Sequence, residues 1–326
     1  MPLYPDLDPS LYTVIWIAPL EVEAQAAIYM LDNKHNGRFA GTHGASHVFE
    51  AGDINGHNVV IASLAEDQEY GNSSASNLVT EAKLRFERLR LYLLVGVAAG
   101  LPDLESDPPL DIRLGDVLVA TSGGRGRAAL VAYSLVKETK HGPELLRQGH
   151  VLQEPTRLLM SAIGSIKRNA IYGPGDFIDI YKDSIAGKSH SNGTFHDPGQ
   201  DVDILHTVDR RGREVVQKRA PRRDDSRTRV WYGQIGTGDT LMKEVRARDA
   251  LRGRLKDDKI IGLEMEAAGV MNVLNAAVIR GVCDYADEHK NKEWQPFAAA
   301  MAASYAKAVL WQLGKGLDRP PPQQTR

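Results

Sequence analysis

The chain of 326 residues contains one cysteine, Cys283, so it can form no intrachain disulfide and has no cysteine pair for a structural zinc site. This points to an intracellular, cytoplasmic protein without a structural metal. The chain also lacks a positive surplus, since 40 Lys and Arg face 42 Asp and Glu for a formal net charge of −2. General nucleic-acid binding rests on a broad Lys/Arg field that releases counterions, so nucleic acid is not an expected partner and any phosphate-binding patch must be local. No uninterrupted apolar run reaches the roughly 18 to 20 residues of a membrane-spanning helix, so no membrane partner is expected. Met1 to Ser10 is acidic and contains proline, without a basic stretch leading into an apolar run, so no secretory signal is visible. What is present is an ordinary globular balance, 42% hydrophobic and 25% charged, in a length that can bury a sizeable core.

Short apolar runs alternate with longer helical patterns. Val14–Ile17, Val59–Ala62, Leu91–Val95, Val117–Ala120 and Ala277–Ile279 are apolar on both faces and read as buried strands. Glu21–Leu31, Ser74–Leu89, Glu144–Ile166, Met242–Arg254, Glu264–Leu274 and Phe297–Leu313 carry apolar residues at three- and four-residue spacing and read as helices. This alternation predicts an α/β fold, a three-layer α/β/α sandwich around a central, mostly parallel mixed sheet, in a single domain over residues 11–315. Residues from about Tyr181 to Arg229 show little periodicity and read as a variable insertion or flexible loop. Residues 316–326, with Pro320-Pro321-Pro322, suit a disordered tail or a linker; a linker would mean that the natural protein continues.

Three segments follow predicted strands, where open parallel sheets bind ligands: Ala18-Pro19-Leu20-Glu21-Val22-Glu23, Gly96-Val97-Ala98-Ala99-Gly100 and Cys283-Asp284. Glu264 and Glu266 are read as opening the helix between them, and Arg280, inside a strand pattern, as a partner for a carboxylate. Cleaving a glycosidic bond to a nitrogenous base needs such groups, one to protonate the leaving base and another to hold the ribose hydroxyls. Each segment also has a plain structural reading: Glu21 or Glu23 as a solvated first-turn residue, the Gly/Ala run as tight packing, Asp284 as a helix cap.

Thr237-Gly238-Asp239, Glu264-Met265-Glu266-Ala267-Ala268 and Cys283-Asp284-Tyr285-Ala286-Asp287, with Gly96-Val97-Ala98-Ala99-Gly100-Leu101 upstream, together resemble the nucleoside phosphorylase/nucleosidase superfamily. Tyr232 to Asp239 and His289 to Phe297 look like the version found as an N-terminal effector domain of fungal NLR-type immune receptors. The similarity covers roughly Leu11 to Leu313. It implies that Met265 and Glu266 contact the ribose, that Asp284 is the general acid toward N7 of a purine, and that Leu241, Met242, Cys283 and Glu264 surround the base. It also implies a homo-oligomer and an association with an NLR-type receptor.

The resemblance bears on the nucleophile too. Bacterial-type phosphorylases of this superfamily hold phosphate with a Gly- and Arg-containing first loop and an Arg-x-Gly-Ser segment; here the loop is Ile17 to Glu23 and the segment reads Leu94-Val95-Gly96-Val97. A dianion beside such carboxylates and apolar groups would lose hydration without gaining partners. Water is therefore the expected nucleophile, positioned as in the nucleosidases by Glu23, with Glu21 as the alternative. Two basic groups, Arg125 with Arg127 and Arg222 with Arg223, are candidates for the 5′-phosphates of a nucleotide such as AMP or ATP, or else solvated loop charges. The expected function is a purine nucleosidase acting on a small-molecule nucleoside or nucleotide without cofactor or metal. The alternatives are a phosphate-dependent phosphorylase and a non-catalytic ligand-sensing or oligomerising module.

Overall fold

The computed structural model describes the chain except for residues 1–4, 42–44, 123, 125–126, 135, 141, 146–153, 173–174, 224–226, 256–258 and 316–326. The sheet strands of the first half are Val14–Ile17 (β1), Asn33–Lys34 (β2), Phe49–Ile54 (β3), His57–Ala62 (β4), Leu91–Gly100 (β5), Val117–Ala120 (β6) and Leu130–Ala132 (β7). Glu21–Met30 (α1) and Asn72–Arg85 (α2) connect them. The second half adds Arg157–Asn169 (α3), Asp176–Ser184 (α4) and the hairpin Leu205–Val208 (β8) with Glu214–Gln217 (β9). Val230–Thr237 (β10), Val245–Arg254 (α5), Ile260–Glu264 (β11), Ala267–Met271 (α6), Ala277–Asp284 (β12) and Trp294–Trp311 (α7) complete it.

Among the described residues one sheet of ten strands forms, ordered β11-β10-β6-β12-β5-β1-β4-β3-β2 with β7 beside β10. Most central pairs are parallel, but β12 meets β6 antiparallel, so the sheet is mixed. β11 also returns onto β5, Gly262 opposite Gly100 and Leu263 opposite Ala99, so that β5, β12, β6, β10 and β11 close on themselves. Alternation along β1 assigns the two faces. Val14 and Trp16 pack with Ala26, Phe177 and Met301 of α1, α4 and α7, whereas Ile15 and Ile17 pack with Leu78 and Val270 of α2 and α6. This is the expected three-layer α/β/α sandwich. Helix α7 comes so close to β12 that a Cβ on Gly281 would lie 1.9 Å from the Ala298 carbonyl oxygen, so this contact requires glycine. No helix among the described residues is long and apolar enough to cross a membrane.

Several boundaries differ from the sequence reading. Glu264–Leu274 is not one helix: residues 260–264 are a strand, and α6 begins at Ala267. Glu264, expected to open the helix, is instead the last residue of β11, all five of whose residues are buried. Gly96 to Gly100 is the second half of β5 and Cys283-Asp284 the end of β12, rather than segments following strands. Gly142–Leu145 pairs with Val136–Thr139 as a hairpin, and the helix expected from Glu144 begins at Arg157, where the Thr156 hydroxyl caps it. Residues from Tyr181 to Arg229 include short hairpins, and Phe195 is fully buried against Tyr29 of α1.

Candidate active site

Arg280 organises the site. Strand β12 is covered on both faces, so its guanidinium has no access to solvent. Nη2 donates to Glu264 (2.5 Å) and to Glu266 (2.9 Å), and Nη1 lies 3.9 Å from Glu23. Each carboxylate is also held by the chain that delivers it. Glu264 ends β11 and accepts from the backbone N–H of Glu266 (3.1 Å) and Ala267 (2.9 Å), which turns the strand into α6. The Thr237 hydroxyl accepts from Ala268 N–H (3.0 Å) and the Asn72 side chain from Gly269 N–H (2.8 Å), fixing the start of that helix.

Glu23 lies in the first turn of α1, where a carboxylate offsets the positive end of the helix. It accepts from Leu20 N–H (2.9 Å) and, across the sheet rim, from Val97 N–H (2.7 Å). Gly96 permits this approach, because a Cβ there would sit 2.2 Å from Glu23 Oε1 and 2.5 Å from Arg280 Nη1. Glu21 is elsewhere. It accepts from Gln25 (2.8 Å) and from Ser191, facing a neighbouring cavity.

Three buried carboxylates thus share one guanidinium. Burial raises the pKa of Glu23 despite the pull of Arg280 and the two backbone donors. Burial also pushes Glu266 up to about 8; Arg280 opposes the shift and the charges of Glu264 and Glu23 add to it. The cluster therefore favours holding a proton near neutral pH.

Asp284 ends β12 and is 9% exposed. Its Oδ1 accepts from Ala286 N–H (2.8 Å), an alanine held at φ 56° in the left-handed region. Its Oδ2 accepts from the Cys283 thiol (3.4 Å) and faces Lys290 Nζ at 3.0 Å. Burial, and then the Asp284 charge, raise the Cys283 thiol well above its ordinary range, so it stays protonated and can donate.

These groups open on one cavity of about 310 Å³. Glu23, Ala98, Ala99, Leu241, Met242, Glu264, Met265, Glu266, Cys283 and Asp284, all singled out in the sequence, line it together. Gly96 and Gly100 support it from within β5 without lining it. Tyr70, Tyr133, Lys290, Lys292 and Gln295 also line it, and sequence reasoning gave them no role. The His289 to Phe297 run held the signal for three of them. Burial raises the Tyr133 phenol, leaving it a neutral donor, here to Thr240 O (3.3 Å). A second cavity of about 730 Å³ adjoins through Leu20, Lys292 and Gln295 and continues past Gln25, His190 and Ser191.

The basic groups fare differently. Arg222 is buried: its guanidinium donates to both oxygens of Asp116 (2.7 and 3.0 Å) and to the carbonyls of Asp111 and Arg227. It is a core ion pair, unavailable to a ligand. Arg223 and Arg127 are exposed and line neither cavity, and Arg125 lies outside the described residues. Among the described residues, His206, Glu214 and His289 bring ligating atoms within 4.8 Å of one another. The two imidazoles are stacked, centroids 3.7 Å apart, so their in-plane lone pairs run alongside each other instead of converging on an ion.

This architecture is the nucleoside phosphorylase/nucleosidase fold. The chain superimposes on the 5′-methylthioadenosine/S-adenosylhomocysteine nucleosidase of Neisseria meningitidis, solved with methylthio-immucillin-A, with a TM-score of 0.57 and 16% identity, covering 91% of this chain and 98% of that one. It is similar to the futalosine hydrolase of Helicobacter pylori (TM-score 0.57, 15% identity, 92% and 97% covered). A putative 5′-methylthioadenosine/S-adenosylhomocysteine nucleosidase of Borrelia burgdorferi, bound to adenine, gives 0.60 at 13% identity, with 92% and 99% covered. No family model matches the chain. In sequence, the chain is 34% identical over 313 residues to a nucleotide-binding leucine-rich repeat (NLR)-like protein of Hyaloscypha variabilis. The match takes in 94% of this chain but spans only 30% of that relative's length.

Proposed function

We propose that the chain is a purine N-ribosyl hydrolase, releasing free base from a purine nucleoside or nucleotide with water. One observation carries the reading: Glu23, raised by burial, is clamped by Leu20 and Val97 beside Arg280 and Glu266, on the cavity that Asp284 also lines. In this reading Glu266 and Met265 hold the ribose as it gains oxocarbenium character, and a carboxyl bearing a proton near neutrality can both give and accept across two hydroxyls. Glu23 orients water toward C1′ and takes its proton, which a carboxylate of raised pKa does more readily. Asp284 passes a proton to N7 of the departing purine. Leu241, Met242 and Cys283 then flank the base, while the cavity past Lys292 and Gln295 leaves room for a 5′ substituent. Two backbone donors on Glu23, and a cavity lining without arginine among the described residues, support water over phosphate as nucleophile.

Product chromatography with adenosine, inosine, AMP and ATP, with and without phosphate, tests this. Free base and free ribose product in phosphate-free buffer are expected; strict dependence on phosphate would establish a phosphorylase. The NLR-like relative favours a second layer, in which this domain is the output module of an NLR-type receptor and works as a homo-oligomer. Light scattering on the purified domain, alone and within the longer protein, tests the assembly.

A further inference from the structure

The two oxygens of Asp284 are already engaged as acceptors. Oδ1 takes the Ala286 N–H, and Oδ2 takes the Cys283 thiol and the Lys290 ammonium. A carboxyl carrying its own proton would face three donors with one lone pair fewer, so this arrangement suits the ionised form. A general acid at this position needs a proton from a neighbour. Lys290 is the group placed to supply it: Nζ is 3.0 Å from Oδ2, it lines the cavity, and its side chain is 26% exposed, whereas that of Asp284 is 9% exposed.

We propose that Lys290 is the positioning residue that supplies the proton of the leaving-group step, resting on the hydrolase reading above. In the resting pair the proton sits on Lys290 and the negative charge on Asp284. As the C1′–N9 bond breaks and its electron pair moves into the purine, the ammonium proton passes to the Asp284 carboxyl, which delivers a proton to N7. The base leaves neutral, Asp284 is again a carboxylate and Lys290 is an amine. Water gives its hydroxide equivalent to C1′ and its proton to Glu23. Lys290, open to solvent, then recovers a proton while Glu23 releases one, so the cycle balances. The Cys283 thiol, held protonated by burial, does not compete for this proton.

Single-turnover rates on a purine nucleoside for wild type, Lys290→Met, Lys290→Arg, Asp284→Asn and the Lys290→Met/Asp284→Asn double variant test the proposal. General acid transfer contributes about 10² to 10⁴ in rate, so each single variant is expected to fall at least about a hundredfold in kcat with a KM change under about threefold. The double variant is expected to be no slower than the slower single, because both residues act in one transfer. Arginine keeps the charge but holds its proton, so Lys290→Arg separates proton supply from mere pairing. An N7-methylated purine nucleoside leaves without protonation, and Lys290→Met is expected to cleave it at near the wild-type rate. Full activity of Lys290→Arg, equal losses on methylated and unmethylated substrates, or multiplicative losses in the double variant would overturn the relay. Failure of the wild type to release base from any purine nucleoside would instead overturn the hydrolase reading.

Discussion

At Glu266, burial and two neighbouring carboxylates outweigh the attraction of Arg280, and a carboxyl raised to about 8 has a consequence for stability. Between the ordinary carboxylate pKa and 8 the folded chain holds a proton that the unfolded chain has released, so stability falls as pH rises through this window. Glu266→Gln removes the titration. Its melting temperature relative to wild type is therefore expected to climb between pH 5 and pH 8, by about 2 °C or more, in paired thermal scans. Under the proposed hydrolase reading, Glu23→Gln keeps the shape and removes the base; turnover of purine nucleoside is expected to fall about a hundredfold or more, with the fold unchanged by circular dichroism. Gly96→Ala drives a methyl into Glu23 and Arg280, and a comparable loss of activity is expected with wild-type Lys290 and Asp284 still in place. The sequence favoured Glu23 through the resemblance but kept Glu21 as the alternative, for a physical reason. Two residues apart on a helix they point to nearly opposite sides, and only the register of α1 against β5 decides which side meets the site.

At the scale of elements, the strands legible in the sequence were those with apolar runs: Val14–Ile17 and Val117–Ala120 agree to the residue. Strand β10, Val230–Thr237, was missed because its two glycines and glutamine interrupt such a run, though Gln234 is buried and donates to Ala128 O. Strand β11 was also unassigned, and its last residue, Glu264, was read as the start of the following helix. The basic pair Arg222-Arg223 illustrates the complementary limit, since its charge was visible and its partner, Asp116, more than a hundred residues away in sequence, was not. Arg222→Ala leaves Asp116 buried without a countercharge, a change that costs about 3 to 5 kcal/mol. Chemical denaturation is expected to detect this loss, while the AMP-to-adenosine ratio of kcat/KM stays within about twofold in whatever fraction remains folded. At the contact of α7 with β12, Gly281→Ala forces the helix off Ala298 O, with an expected loss of about 1 to 3 kcal/mol in the same measurement.

Across the whole molecule, residues far apart in sequence meet because the sheet gathers strand ends. Glu23 from α1, Val97 from β5, Glu264 from β11 and Asp284 from β12 line one cavity, with Arg280 of β12 buried behind the carboxylates. The motifs announced most of these members; the cationic side, Lys290 and Lys292, lay in a segment whose charge alone says nothing of direction. The pairing of Gly262 with Gly100 and Leu263 with Ala99 closes five strands into a ring, and this constrains motion as well as shape. A strand in an open edge can peel away locally, exposing its amides in small excursions, whereas a ring opens only when two ladders break together. Amide hydrogens of Ala99 to Leu101 and Ile260 to Leu263 should therefore exchange with deuterium only through unfolding of the whole domain, while those of the outer β2–β3 pair exchange earlier. Substrate binding would then proceed against a wall that does not breathe, with the segments beyond Asp284 and before α1 left to supply any movement.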